Sequence, residues 1–97
     1  MDTNRWTVVY DGECGVCRRS VELLRSWDTE GRLRMVPFQG PGVMARYPQI
    51  EEAEFRAAVQ VIAPDGRWWS GADAVEQALR QAGRRRLAWL FTLPLAR

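Results

Sequence analysis

Histidine and lysine are both missing from the 97 residues, so every one of the fourteen basic groups is an arginine. Without imidazole there is no Ser/His or Cys/His nucleophile pair and no nitrogen ligand for zinc, which removes most hydrolase mechanisms. Without lysine there is neither a Schiff base nor the lysine of a phosphate-binding loop. Cysteine is scarce: only Cys14 and Cys17 occur, too few for the several bridges that staple a small secreted scaffold. No stretch approaches the ~20 apolar residues that cross a bilayer. The polar opening Met1 to Trp6 lacks the basic-then-apolar order of a secretory leader, which points to the cytoplasm. Charge of one sign is lacking as well: fourteen basic groups stand against twelve acidic ones, a formal +2, with no excess that would favour nucleic acid. What the inventory leaves is thiol and carboxylate chemistry.

What is present fits one small domain over 1–97, with a hydrophobic content of 46% and a charged content of 27%. Trp6-Thr7-Val8-Val9-Tyr10 is a β-branched and aromatic run stopped by Asp11-Gly12, and it predicts a buried strand. From Gly15 to Trp27, Val16, Val21, Leu23, Leu24 and Trp27 recur at helical spacing, with Arg18, Arg19, Glu22 and Arg25 on the other side. Gly31 closes that helix, and Arg32 to Phe38 alternates as an edge strand does. After a Gly/Pro break at Gln39 to Gly42, two short helical turns are expected, at Val43 to Tyr47 and Glu51 to Phe55. Ala57 to Ala63, the turn Pro64-Asp65-Gly66 and Arg67 to Ser70 make a hairpin. Ser70 and Asp73 resemble a capping box opening a helix over 71–82, stopped by Gly83. The fold class is therefore α/β: a βαβ half and a ββα half around one central four-stranded mixed sheet. Residues 83–97 form a tail that is first arginine-rich and then apolar.

Cys14-Gly15-Val16-Cys17 falls where the first strand hands over to the first helix. Residues three apart on a helical turn lie ~5 to 6 Å apart, within reach of a disulfide. The first sulfur meets the unpaired N–H groups and dipole of the helix N-terminus, which favour a thiolate. The second sits one turn deeper. This predicts that Cys14 attacks and Cys17 resolves. Two other readings of the pair remain open: small core residues, or two thiolates of a soft-metal, Cu(I)-type carrier. No metal or other cofactor is expected, because a closed zinc site would need four ligands and one chain supplies two sulfurs and no imidazole. Asp11 reads either as a turn or cap residue or as an acid/base near the sulfurs.

Asp11-Gly12-Glu13-Cys14-Gly15-Val16-Cys17, preceded by Val8-Val9-Tyr10 and followed by Arg18-Arg19, resembles the signature of the DCC family (DUF393) of thiol-disulfide oxidoreductases. The likeness continues through Leu33 to Gln39, Pro64 to Arg67 and Gly71-Ala72-Asp73-Ala74. It implies a thioredoxin-like fold and disulfide exchange, with Asp11, Cys14 and Cys17 at the three motif positions; the family's substrates are poorly defined, and the partner expected from the chemistry is a disulfide or thiol of a protein or of glutathione. Two features qualify it. Thioredoxins and glutaredoxins carry a cis-proline before the third strand, where this chain has Ala57, Ala58 and Val59. Gly71-Ala72-Asp73 is similar to the glutaredoxin segment that holds a glutathione carboxylate at a helix N-terminus, and plain capping explains it equally.

Trp68 and Trp69 alternate on a strand, so one is expected in the core and one exposed. Arg84, Arg85 and Arg86 ahead of Leu87 to Leu95 read as a tail folded onto the sheet, or as weak contact with an anionic membrane surface. On the second alternative the protein is a noncatalytic membrane-side adaptor.

Overall fold

Three consecutive residues of the first strand, Thr7, Val8 and Val9, are buried, because this strand lies inside a sheet with cover on both faces. The computed structural model describes residues 5–83; the expectations for Arg84 to Arg86 and the apolar tail lie outside the described residues. The elements are β1 (Trp6–Tyr10), α1 (Gly15–Trp27), β2 (Leu33–Pro37), α2 (Val43–Arg46), α3 (Glu52–Ala57), β3 (Gln60–Ile62), β4 (Trp68–Ser70) and α4 (Gly71–Gln81). Strand order is β2-β1-β3-β4. β2 runs parallel to β1, β3 antiparallel to β1, and β4 antiparallel to β3. This is the mixed four-stranded, thioredoxin-like arrangement, with β2 at an edge as its alternating pattern predicts.

The pleat sorts the core into two clusters. Val8, Leu33 and Val61 meet Ala74, Ala78 and Ala82 of the α4 side. Val9 and Ile62 meet Phe38, Ile50 and Phe55. Successive residues of one strand point to opposite faces, so Val8 and Val9, or Val61 and Ile62, serve different clusters.

Local chemistry fixes the corners. The Asp28 carboxylate accepts the N–H of Arg32 (2.9 Å) and of Leu33 (2.9 Å), clamping the end of α1 to the start of β2. At the β3–β4 turn Asp65 accepts the Arg67 N–H at 3.0 Å, and Gly66 takes φ 95°. Beyond the α4 C-cap, Ala82, Gly83 takes φ 81° and donates its N–H to the Arg80 carbonyl, stopping the helix.

Four expectations are corrected. The apolar run from Ala57 yields a strand only from Gln60, because the buried Gln60 carboxamide donates to the carbonyls of Glu54 and Ala58 and so ends α3. Ser70 does not cap α4 through its side chain: its hydroxyl donates to Gln60 Oε1 at 2.6 Å. The two tryptophans do not divide into core and surface. Both are half-buried, Trp69 stacked on Trp6 at 5.3 Å and Trp68 against the opposite cluster. Finally, the apolar stripe of α1 is narrower than its spacing implies. Val21 is buried and Leu24 and Trp27 half-buried, but Val16 and Leu23 are 75% and 52% exposed.

Candidate functional site

β1 ends at Tyr10, and the chain turns through Asp11-Gly12-Glu13 into α1. Asp11 organises the turn as an Asx residue. Its carbonyl accepts the Cys14 N–H at 3.2 Å, and its Oδ1 accepts the Glu13 N–H at 2.9 Å. Gly12 is needed for space. A Cβ there would lie 2.9 Å from Pro37 Cβ and 3.3 Å from Gln39 Oε1. Gln39 spans the same corner, donating from Nε2 to Asp11 Oδ1 (2.7 Å) and accepting the Gly12 N–H at Oε1 (3.0 Å).

Cys14 is the N-cap of α1, with extended backbone (φ −90°, ψ 119°). Its sulfur does what a serine oxygen does at such a position, accepting the Cys17 N–H at 3.3 Å. Both cysteines are reduced and half-buried. Their environments differ in sign. The Cys14 thiol is held below its ordinary value of 9.0 mainly by the hydrogen bond from the Cys17 thiol, helped by the backbone N–H groups of Cys17 and Val16. Cys17 is pushed above the same value because it must keep its proton to donate to Cys14, and desolvation and the Cys14 charge add to this. Asp11 acts on both sulfurs, its negative charge opposing ionisation of each. The carboxyl itself lies below 3.8, held there first by the Gln39 hydrogen bond, then by the Glu13 N–H and more weakly by Arg56.

Cys17 also opens onto a groove of about 400 Å³ between α1 and α4, lined by Tyr10, Leu24, Trp27, Val59 and Val75 among others. Its walls are almost wholly apolar side chains. Val59, in the region where thioredoxins carry their proline, shares this groove with Cys17.

The fold thus gathers Asp11, Cys14 and Cys17 at one corner. Gly71, Ala72 and Asp73 lie elsewhere, at the start of α4, whose Ala74 and Val75 line the far wall of the groove. The Gly71 N–H is already donated to the Val59 carbonyl at 3.0 Å, with Gly71 at φ 61°. Among the described residues no cluster of three or more His, Cys, Asp or Glu side chains is arranged to hold a metal ion. No helix among them is long and apolar enough to cross a membrane. Sequence reasoning missed Gln39, which reads as part of a Gly/Pro break, although a glutamine directly after a strand that pairs with the Asp11 strand was a usable signal.

A thioredoxin-like sheet with a Cys-x-x-Cys pair at the β1–α1 junction defines the class of the protein. A family model described as DCC1-like thiol-disulfide oxidoreductase matches residues 8–97, and the chain belongs to that family. Comparison with curated proteins and with solved structures gave no match.

Proposed function

We propose that this protein is a thiol-disulfide oxidoreductase in which Cys14 is the nucleophile, Cys17 the resolving thiol and Asp11 the proton carrier. The observation that carries the reading is the unlike state of the two sulfurs. Cys14 Sγ sits at the N-cap, accepts the Cys17 backbone N–H at 3.3 Å and is the easier to ionise, while Cys17 lies one turn inside the helix with its thiol pushed up.

The chemistry follows. A Cys14 thiolate attacks one sulfur of a substrate disulfide, forming a Cys14–substrate bond and releasing the other sulfur as a thiolate. Cys17 then loses its proton, bonds to Cys14 Sγ and expels the second substrate sulfur. Two electrons pass from the dithiol to the substrate, and an external dithiol must reduce the Cys14–Cys17 disulfide before the next turn. Run backwards, the same steps oxidise a substrate dithiol. The apolar groove beside Cys17 favours a protein substrate presenting apolar residues next to its cysteine. For a glutathione carboxylate at Gly71-Ala72-Asp73 the support is thinner, since the Gly71 N–H is already used and the Asp73 side chain repels an anion.

Trapping tests the assignment. Cys17→Ser accumulates a mixed disulfide on Cys14 with a glutathione or peptide disulfide, and Cys14→Ser accumulates none. In native protein, iodoacetamide modifies Cys14 faster than Cys17 at every pH below about 8. A glutathione redox series read by mass spectrometry gives a reversible two-electron couple in the region of about −270 to −180 mV. Equal alkylation of both thiols with full activity in Cys14→Ser would overturn the roles, and stoichiometric Cu(I) binding without disulfide turnover would replace exchange by metal carriage.

A further inference from the structure

The Asp11 corner contains a side chain that the proposed exchange has not yet used. Gln39 lies two residues past the Tyr10–Pro37 pair of the β1–β2 ladder, and the Phe38 N–H continues that ladder by donating to the Tyr10 carbonyl at 2.9 Å. This places the Gln39 carboxamide beside the turn that leads to Cys14. It makes two bonds of opposite sense: Oε1 accepts from the Gly12 N–H, and Nε2 donates to Asp11 Oδ1. Its orientation is fixed by those partners, since exchanging O and N would set acceptor against acceptor and donor against donor. Of the two amide side chains, which carry acceptor and donor on neighbouring atoms of one planar group, only glutamine has this reach. Asparagine is one methylene short, and an ionised glutamate cannot donate.

The consequence lies in which carboxylate oxygen is occupied. Oδ1 of Asp11 takes both the Gln39 bond and the Glu13 N–H bond, and among the described residues none of the hydrogen bonds to Asp11 ends on Oδ2. An exposed carboxylate would otherwise rotate freely and exchange its two oxygens. The charges that act on this group come from Cys14 and Cys17 on α1 and from Arg56 on α3, with Glu13 beside it in the turn. Gln39 adds none, so it can hold the carboxylate without cancelling its charge.

We propose that Gln39 is a positioning residue for disulfide exchange, clamping Asp11 through Oδ1 and leaving Oδ2 without a hydrogen bond among the described residues. This rests on the reading of Asp11 as the proton carrier. In the resolving step the Cys17 proton passes to the Asp11 carboxylate, and the Cys17 sulfur bonds to Cys14 Sγ. The Cys14–substrate bond breaks with its electron pair on the substrate sulfur, and Asp11 returns the proton to that leaving thiolate. Gln39 is unchanged throughout. The first attack, which starts from a thiolate, does not need the clamp.

The experiment separates the two steps with the full chain and oxidised glutathione as probe, quenching in acid and counting the glutathionylated intermediate against the closed disulfide. Gln39→Leu slows resolution about tenfold, a fraction of what general acid–base catalysis supplies, and changes the first attack less than about twofold. Gln39→Glu restores the acceptor for the Gly12 N–H but sets two carboxyls side by side. They share a proton, and the acid limb of the resolution rate moves up by about one pH unit or more, a shift that a purely structural side chain does not cause. Because Gln39 acts through Asp11, Gln39→Leu adds nothing to Asp11→Asn in the double variant. Resolution at the parent rate in Gln39→Leu overturns the proposal while leaving Asp11 in place, provided Asp11→Asn is slow. Parent rates in Asp11→Asn overturn both. Additive losses, or equal slowing of both steps with a lowered Tm, reduce Gln39 to a structural contact.

Discussion

The two faces of the sheet are finished differently. On the face that carries Val9 and Ile62, Phe38 and Phe55 stack at 5.7 Å over Ile50, and both rings are 1% exposed. Arg56 lies over the Phe38 ring at 5.1 Å and closes the outside. On the other face Ala74 and Ala78 of α4, with Ala82 at its C-cap, join the buried cluster. The small alanines let the helix approach the sheet, and among the described residues a groove lined also by Val75 and Leu79 remains beside Cys17. Among the described residues one face is packed closed and the other carries a groove that reaches Cys17. On the proposed reading the sulfurs need a rigid sheet behind them and an approach in front, and among the described residues these fall on opposite sides of the same strands.

The largest expected effect tests the closed face. Phe55→Ala removes a fully buried ring from a stack and costs about 3 to 5 kcal/mol in urea denaturation, whereas Leu24→Ala on the groove wall, half-buried, costs about 1 kcal/mol. Equal losses would mean that the groove is as tightly filled as the aromatic side. The next effect lies at the corner joining the faces. Gly12→Ala places a methyl group 2.9 Å from Pro37 Cβ, so the turn must shift. The cost is about 1 to 3 kcal/mol, with a loss of preferential Cys14 alkylation because the Gln39 bond to the Gly12 N–H is lost too. Gly71→Ala, on the open side at the start of α4, forces a side chain into φ 61° and costs about 1 kcal/mol without altering the alkylation ratio.

The smallest effect is electrostatic. Asp11 lies in the turn before α1 and Asp65 in the β3–β4 turn, and each has its carboxyl lowered below 3.8 by hydrogen bonds of the folded chain. A depressed folded-state value means stabilisation that is present above 3.8 and is lost as pH falls through the lower, folded value. Both groups are exposed, so the contribution is slight. Urea melts from neutral pH down to about 2 should show Asp11→Asn and Asp65→Asn each flattening the acid limb by a small and independent amount.

How far the primary structure could be read follows from the distance between partners. β1 and α1 are legible because their determinants are local: a β-branched run ended by Asp-Gly, then apolar residues at helical spacing behind a cap. The Cys14–Cys17 asymmetry is legible for the same reason, being three residues of one helical turn. The start of β3 is not, since Gln60 reaches back to the carbonyls of α3, a contact that no propensity records. Ser70 looks like a helix cap until Gln60 Oε1 claims its hydroxyl. The Asp11–Gln39 bond joins residues 28 apart, and only the parallel pairing of β1 with β2 brings them together.

The amino-acid sequence by itself determined the chemistry and the order of elements. Thiols and carboxylates were the reactive groups left once His and Lys were absent, and periodicity with turn residues set strand, helix and hairpin in line. Tertiary structure alone decided how those groups are used. It placed a glutamine against the aspartate, turned Val16 and Leu23 outward, and set a groove between α1 and α4 beside Cys17 among the described residues. The physical reason is that propensity and capping act within a few residues of chain. Which oxygen of a carboxylate is occupied, and which face of a helix finds cover, depends on what the sheet brings from elsewhere.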